Sequence, residues 1–134
     1  MSKSDERNRK TDPRRTTGKA AEDICARRLK QKGWQIFARN WRIRMGEIDL
    51  IARTGNILVV VEVKAIHINP RQGPTSPVLA VGPNKQRRIR KLTSAWISTH
   101  GRTVTFQEVR FDVVGILFER DGSIITYDHI ENAF

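Results

Sequence analysis

The sequence predicts an α/β fold in the order α-β-β-β-α-β, with an extra strand at the C-terminus. Three observations predict it. Residues 46–64, GEIDLIARTGNILVVVEVK, are two apolar runs joined by Thr54-Gly55, the pattern of a strand hairpin. Two segments carry apolar residues at helical spacing and stop at Gly33 and Gly101. The stretch after Gly101 returns to strand character, with RFDVVGILF and SIITY separated by Asp121-Gly122.

Taken in order, residues 1–16 are highly charged, and their only apolar members are Met1 and Pro13. Such a stretch cannot bury a core and reads as a flexible basic arm, either a solvated tail or a contact for phosphates. Residues 17–134 form the folded domain. Its first helix runs from Thr17-Gly18 to about Lys32, with Ala21, Ile24, Cys25 and Leu29 as the apolar stripe. Glu22 falls at the edge of that stripe and Asp23 points to solvent. Glu22 is either a first-turn acid favoured by the helix dipole or a group looking along the sheet. Cys25 reads as a plain core thiol.

Residues 34–42 form a strand with Trp34, Ile36 and Ala38 on one face. Met45-Gly46 turns the chain into strands 47–53 and 56–64, and the three strands make an antiparallel meander. Ile57-Leu58-Val59-Val60-Val61 is apolar at every position, as in a strand covered on both faces. Residues 66–83 hold four prolines and two glycines and read as a long loop, with His67 in it as an exposed residue. Asn84 caps a second helix running to Thr99, with Ile89, Leu92, Trp96 and Ile97 inward. Residues 104–118 are one long or bent strand. Asp112 reads as a structural salt-bridge partner for Arg110 or another basic residue in preference to a catalytic acid, and His100 and His129 receive no role.

The net charge is +11, from 25 Lys and Arg against 14 Asp and Glu. That excess points to a polyanionic partner, nucleic acid before a membrane surface. It gathers in residues 1–33 and 84–91, so the basic surface belongs to the helices. No apolar run is long enough to cross a membrane, the N-terminus has no apolar signal segment, and a single cysteine forms no internal disulfide. A cytoplasmic location is the expectation.

Against this basic background, Asp49 lies in one strand of the central hairpin and Glu62 and Lys64 in the next. Glu62 and Lys64 are two apart and project from one face; Glu47 and Asp49 share a face for the same reason. Carboxylates brought together repel unless a cation is bound. Mg²⁺ or Mn²⁺ takes oxygen ligands and keeps waters, leaving room for a phosphate and a nucleophile. Lys64 can orient that water or offset developing charge. Arg39, Arg42 and Arg44, interleaved with Trp41, suit phosphate contacts and stacking, although Trp41 reads equally well as core. Lys85, on the apolar side of the second helix, either snorkels outward or reaches the site, and Arg87 and Arg88 extend the basic face.

The ordered motifs GKAAE (18–22), RNWR (39–42), GEIDLIA (46–52), VEVK (61–64), KQRRI (85–89) and RFDVV (110–114) resemble the bacterial YraN-like family. That family is placed in the restriction-endonuclease-like PD-(D/E)xK superfamily and is similar to archaeal Holliday-junction resolvases. The resemblance covers nearly all of residues 17–134. It implies a restriction-endonuclease-like mixed sheet with flanking helices. It implies Asp49, Glu62 and Lys64 as the catalytic set, with Glu22 as a further metal acid and Glu47 undecided. Where the family usually carries a basic residue two positions after VEVK, this chain has Ile66.

The expected activity is a Mg²⁺- or Mn²⁺-dependent endonuclease acting on DNA in preference to RNA, with branched DNA as a candidate substrate. Because a four-way junction has two-fold symmetry, a homodimer is expected. The rival readings are a nucleic-acid-binding module that keeps the fold without turnover, and an interaction subunit whose charge serves rRNA or an acidic partner.

Overall fold

The structure, a computed structural model, describes residues 13–68 and 81–134. Helix α1 spans Pro13–Gln31, and strands β1, β2 and β3 span Gln35–Ile43, Gly46–Thr54 and Ile57–His67. Helix α2 spans Pro83–His100 and runs into a short 3₁₀ turn at Gly101–Thr103. Strands β4, Glu108–Phe118, and β5, Ile124–Ile130, complete the chain.

The five strands form one mixed sheet in the order β1-β2-β3-β4-β5. β1, β2 and β3 are an antiparallel meander, β4 joins β3 in parallel after the α2 crossover, and β5 returns antiparallel. The α/β class and the mixed sheet are as expected. A parallel neighbour needs a crossover connection, which α2 supplies.

The two helices cover opposite faces. Ala21, Cys25, Ala26 and Leu29 of α1 pack on Leu50, Ala52, Val59, Val61, Val114 and Ile116. Ile89, Leu92 and Trp96 of α2 pack on Ile48, Ile51, Leu58, Val60, Phe111 and Val113. β3 therefore sends Val59 and Val61 to one helix and Leu58 and Val60 to the other. This double coverage is why its sequence is apolar without alternation. Each such buried aliphatic side chain contributes roughly 1.5–3 kcal/mol relative to an exposed one. Cys25 is fully buried, and that burial pushes its thiol up to about 11.

Several elements differ from expectation. α1 begins at Pro13, four residues early, because proline needs no N–H in a first helical turn and presets the helical φ. Residues 13–16 of the expected arm are thus helical, and residues 1–12 lie outside the described residues. So do 69–80, most of the expected loop; His67 is the last residue of β3, its ring 6.3 Å from that of Phe118. A register shift between Ile36 and Ala38 moves Ala38 onto the α2 face, away from Trp34 and Ile36. The cap of α2 is Gly82 with Pro83 following, and the Asn84 Oδ1 accepts instead from the Arg87 guanidinium. The turn between β1 and β2 is Arg44-Met45, with Gly46 already in β2. Gly46 is required there: its φ is +154°, and a Cβ would lie 3.2 Å from Cδ of Arg88 and 3.3 Å from Cδ1 of Leu92.

Near the middle of β4, Asp112 is completely buried. It accepts from Nε and Nη2 of Arg110 at 2.8 and 2.9 Å and from the Asn132 backbone N–H at 3.0 Å, and Nε2 of His129 lies 2.8 Å away. Burial alone would raise its carboxyl, but the hydrogen bonds with His129, Arg110 and Asn132 outweigh it and hold it below the usual range. The expected Arg110 pairing is present. His129, given no role from sequence, is its second partner.

A candidate metal and phosphate site where the sheet forks

The β2–β3 ladder runs from Thr54↔Ile57 to Leu50↔Val61 and stops. Beyond that level β2 continues against β1 alone, as Ile48↔Trp41 and Glu47↔Arg42, and β3 continues against β4 alone, as Glu62↔Val113 and onward. The sheet forks, and Asp49 and Glu62 stand at the crotch. The Asp49 carboxylate fills the break: its Oδ2 accepts from the Val63 backbone N–H at 2.8 Å.

The same level is irregular in β1. Asn40 adopts a left-handed φ of 51°, which asparagine tolerates better than other non-glycine residues. Arg39 and Trp41, on either side of it, register with Leu50 and Ile48. Ile48 packs toward α2 and Leu50 toward α1, although two residues apart on a regular strand would share a face. Simple alternation, the basis for pairing Glu47 with Asp49, therefore fails here. Glu47 accepts from Nη2 of Arg42 at 2.8 Å instead.

Burial pushes Asp49 up to about 7, and the Glu62 charge pushes in the same direction. Glu62, only 5% exposed, is raised by burial and held down by Lys85. Lys85 Nζ lies 3.3 Å from Glu62 Oε2, whereas the other oxygen, Oε1, is buried with no hydrogen-bond partner. Glu22 is raised by burial; a hydrogen bond with Asn40 opposes this, and the charges of Asp49 and Glu47 add to it. The four acids thus feel one another across the fork.

Of the sequence candidates, Asp49, Glu62 and Lys85 come together, with Glu22 and Glu47 within electrostatic reach. Lys64 lies two residues beyond Glu62, is exposed, and makes no ion pair among the described residues. It is Lys85 that contacts Glu62, the inward alternative for that lysine. Arg39 pairs with Asp23, which is therefore not free in solvent. Arg44, Arg87 and Arg88 are exposed, and the aliphatic part of Arg88 approaches the Gly46 position. Trp41 is half-buried in the α2-side core, edge-on to the His100 ring, which favours the core reading over stacking. Asn40 was not among the candidates, although it stands within the RNWR motif (39–42), between two residues of the basic and aromatic run.

Among the described residues no three His, Cys, Asp or Glu side chains gather into a ready-made metal cage. A Mg²⁺ ion needs less, since it commonly takes one or two carboxylates and keeps several waters. An oxygen-only pair, one member of which has a buried oxygen without a partner, fits that demand. No helix of the described residues is long and apolar enough to cross a membrane.

A family model described as "Uncharacterised protein family UPF0102" matches residues 21–116, a span that holds every acid of the site and both lysines. The chain is 44% identical over 117 residues to a UPF0102 protein of Rhodococcus jostii, covering 87% of this chain and 94% of that one. It is 42% identical over 111 residues to a UPF0102 protein of Streptomyces griseus, covering 81% and 88% respectively. A UPF0102 protein of Dictyoglomus turgidum is 36% identical over 117 residues, 87% of this chain and 95% of the relative.

Proposed function

The chain belongs to the UPF0102 family, and on that footing we propose that it is a Mg²⁺- or Mn²⁺-dependent endonuclease with a restriction-endonuclease-like core. The observation that carries this reading is the unpartnered, buried Oε1 of Glu62 beside Asp49 at the fork of the sheet. A buried carboxylate oxygen without a partner costs about 1–3 kcal/mol or more, and a cation there removes the cost.

A cation held by Asp49 and Glu62 supplies polarisation of a phosphoryl oxygen and activation of a water. The remaining work belongs to the chain. The Val63 N–H fixes one oxygen of Asp49 and so aims the other. Glu22, held by Asn40, adds a third acid at the rim. Lys64, exposed on the strand that carries Glu62, would orient the water or offset charge developing in the transition state. Lys85, Arg87, Arg88 and Arg44 offer charge to the nucleic-acid backbone. DNA is preferred to RNA as substrate, with branched DNA and a homodimer as the corresponding arrangement.

The test is cleavage of duplex, flap and four-way DNA, and of structured RNA, in Mg²⁺ or Mn²⁺. Wild type should cut at least one of them well above Asp49→Ala; equal, background-level activity would sink the proposal. One observation favours a second reading. Lys85 Nζ lies 3.3 Å from Glu62 Oε2 and already offsets one acid charge, as would suit a binding module that has lost turnover. Metal-independent binding that survives Glu62→Gln, with no cleavage, selects that reading.

A further inference from the structure

We infer that Lys85 couples cation binding to phosphate binding: without a cation its ammonium neutralises Glu62, and a cation that takes Glu62 releases Lys85 to the nucleic-acid phosphate. The inference rests on the reading of Asp49 and Glu62 as cation ligands.

The geometry of the pair points this way. Lys85 reaches Glu62 Oε2 at 3.3 Å, while the carboxylate itself is 7% exposed and the lysine side chain 49% exposed. One partner is fixed in the core and the other is half in solvent, so only the lysine can leave. Its charge lowers Asp49 as well as Glu62, although its ion pair is with Glu62 alone. The unused oxygen, Glu62 Oε1, is buried and unpartnered, so lysine alone does not complete the site.

The position on α2 supplies the second half. Lys85 is in the first turn of that helix, whose cap Gly82 offers no side-chain hydrogen bond and whose first turn contains no acid. A phosphate drawn to the released ammonium therefore also meets the positive end of the helix. Counted over Asp49, Glu62 and Lys85 alone, with Glu22 and Glu47 left aside, the charges balance only with every part present. Two ionised carboxylates and one lysine leave a net negative charge; adding a divalent cation makes it positive by one; a phosphodiester closes it to zero. Cation and phosphate should each improve the site for the other, and the benefit passes through Lys85.

Mn²⁺ binding to the full chain, read by loss of the aqueous Mn²⁺ electron paramagnetic resonance signal, tests this with and without a four-way DNA junction. Mn²⁺ taken up by the DNA alone is subtracted. Wild type should bind Mn²⁺ about tenfold more tightly when the junction is present. Lys85→Gln should bind Mn²⁺ alone about five- to tenfold more tightly than wild type, and gain nothing from DNA. Lys85→Arg, which keeps the competing charge, should stay close to wild type in the absence of DNA. A lysine that merely supported the fold would weaken cation binding when removed. Mn²⁺ affinity of Lys85→Gln equal to or below wild type overturns the inference and leaves the metal reading standing. Failure of wild type and both variants to bind Mn²⁺ overturns the two together.

Discussion

The backbone N–H of Val63 donates to Asp49 Oδ2 at 2.8 Å at the level where the β2–β3 ladder ends. A side chain stands in for the backbone partner that the next rung would have supplied. The carboxylate is thereby part of the sheet and of the site, and the two roles can be separated by substitution.

Asp49→Asn keeps an acceptor for Val63 and removes the charge. Asp49 is raised from its ordinary value to about 7, so the native state holds a proton that the unfolded chain has released. Native stability therefore falls as pH rises from about 4 to about 7. Glu62 and Glu22, also raised by burial, have the same sign. Melting in EDTA between pH 4.5 and 8 should show wild type losing roughly 2–4 kcal/mol through Asp49 that Asp49→Asn does not lose. Mg²⁺ at pH 8 should restore wild type more than the variant.

Asn40 combines a left-handed φ of 51° with a hydrogen bond to Glu22. Asn40→Ala loses both and should cost about 1–2 kcal/mol in urea unfolding. Asn40→Gly recovers the backbone freedom but not the hydrogen bond. It should unfold close to wild type while any cleavage activity stays as low as in Asn40→Ala. Equal activity of Asn40→Gly and wild type would remove Asn40 from the site.

Asp112 joins Arg110, His129 and the backbone of Asn132 inside the core. Asp112→Ala leaves Arg110 and His129 without their carboxylate and should cost about 3–5 kcal/mol by denaturant titration. Its lowered native value has the opposite sign to that of Asp49: the stability it adds is complete above the unfolded value near 3.8 and is lost as pH falls through the native one. Asp112→Asn should flatten this acid limb and lower stability by a near-constant amount between pH 5 and 8.

Gly46→Ala places a methyl 3.2 Å from Arg88 and 3.3 Å from Leu92 at a φ that alanine rarely adopts. Arg88 can move, but Leu92 is buried in the α2-side core. A loss of about 1–3 kcal/mol in thermal unfolding is expected. No change in Tm would mean that the β1–β2 turn is not held against α2.

Much of the fold was legible because hydrophobic period and glycine stops are local signals. The continuous run Ile57–Val61 announced a doubly covered strand, and Leu58 and Val59 indeed face different helices. The pairing of Asp112 with Arg110 was legible from their spacing of two on one strand. What stayed hidden depends on departures from regular geometry. The left-handed Asn40 and the change of face between Ile48 and Leu50 break the alternation from which Glu47 was read. The partnership of His129 with Asp112 is set by the β4–β5 register and has no signature in either segment. That Lys85, and not Lys64, would contact Glu62 depends on how α2 lies on the sheet.

The fork has a consequence for the order in which the molecule is made. Asp49 and Glu62 belong to one hairpin, so they meet through a short loop that closes at little entropic cost. Lys85 and the parallel strand β4 come later in the chain and reach β3 only after α2 has crossed over. A nascent chain released as far as His67 can already hold both acids together, without the ammonium that balances one of them. Ionic conditions during synthesis, and not only in the finished protein, should therefore influence how readily this hairpin closes.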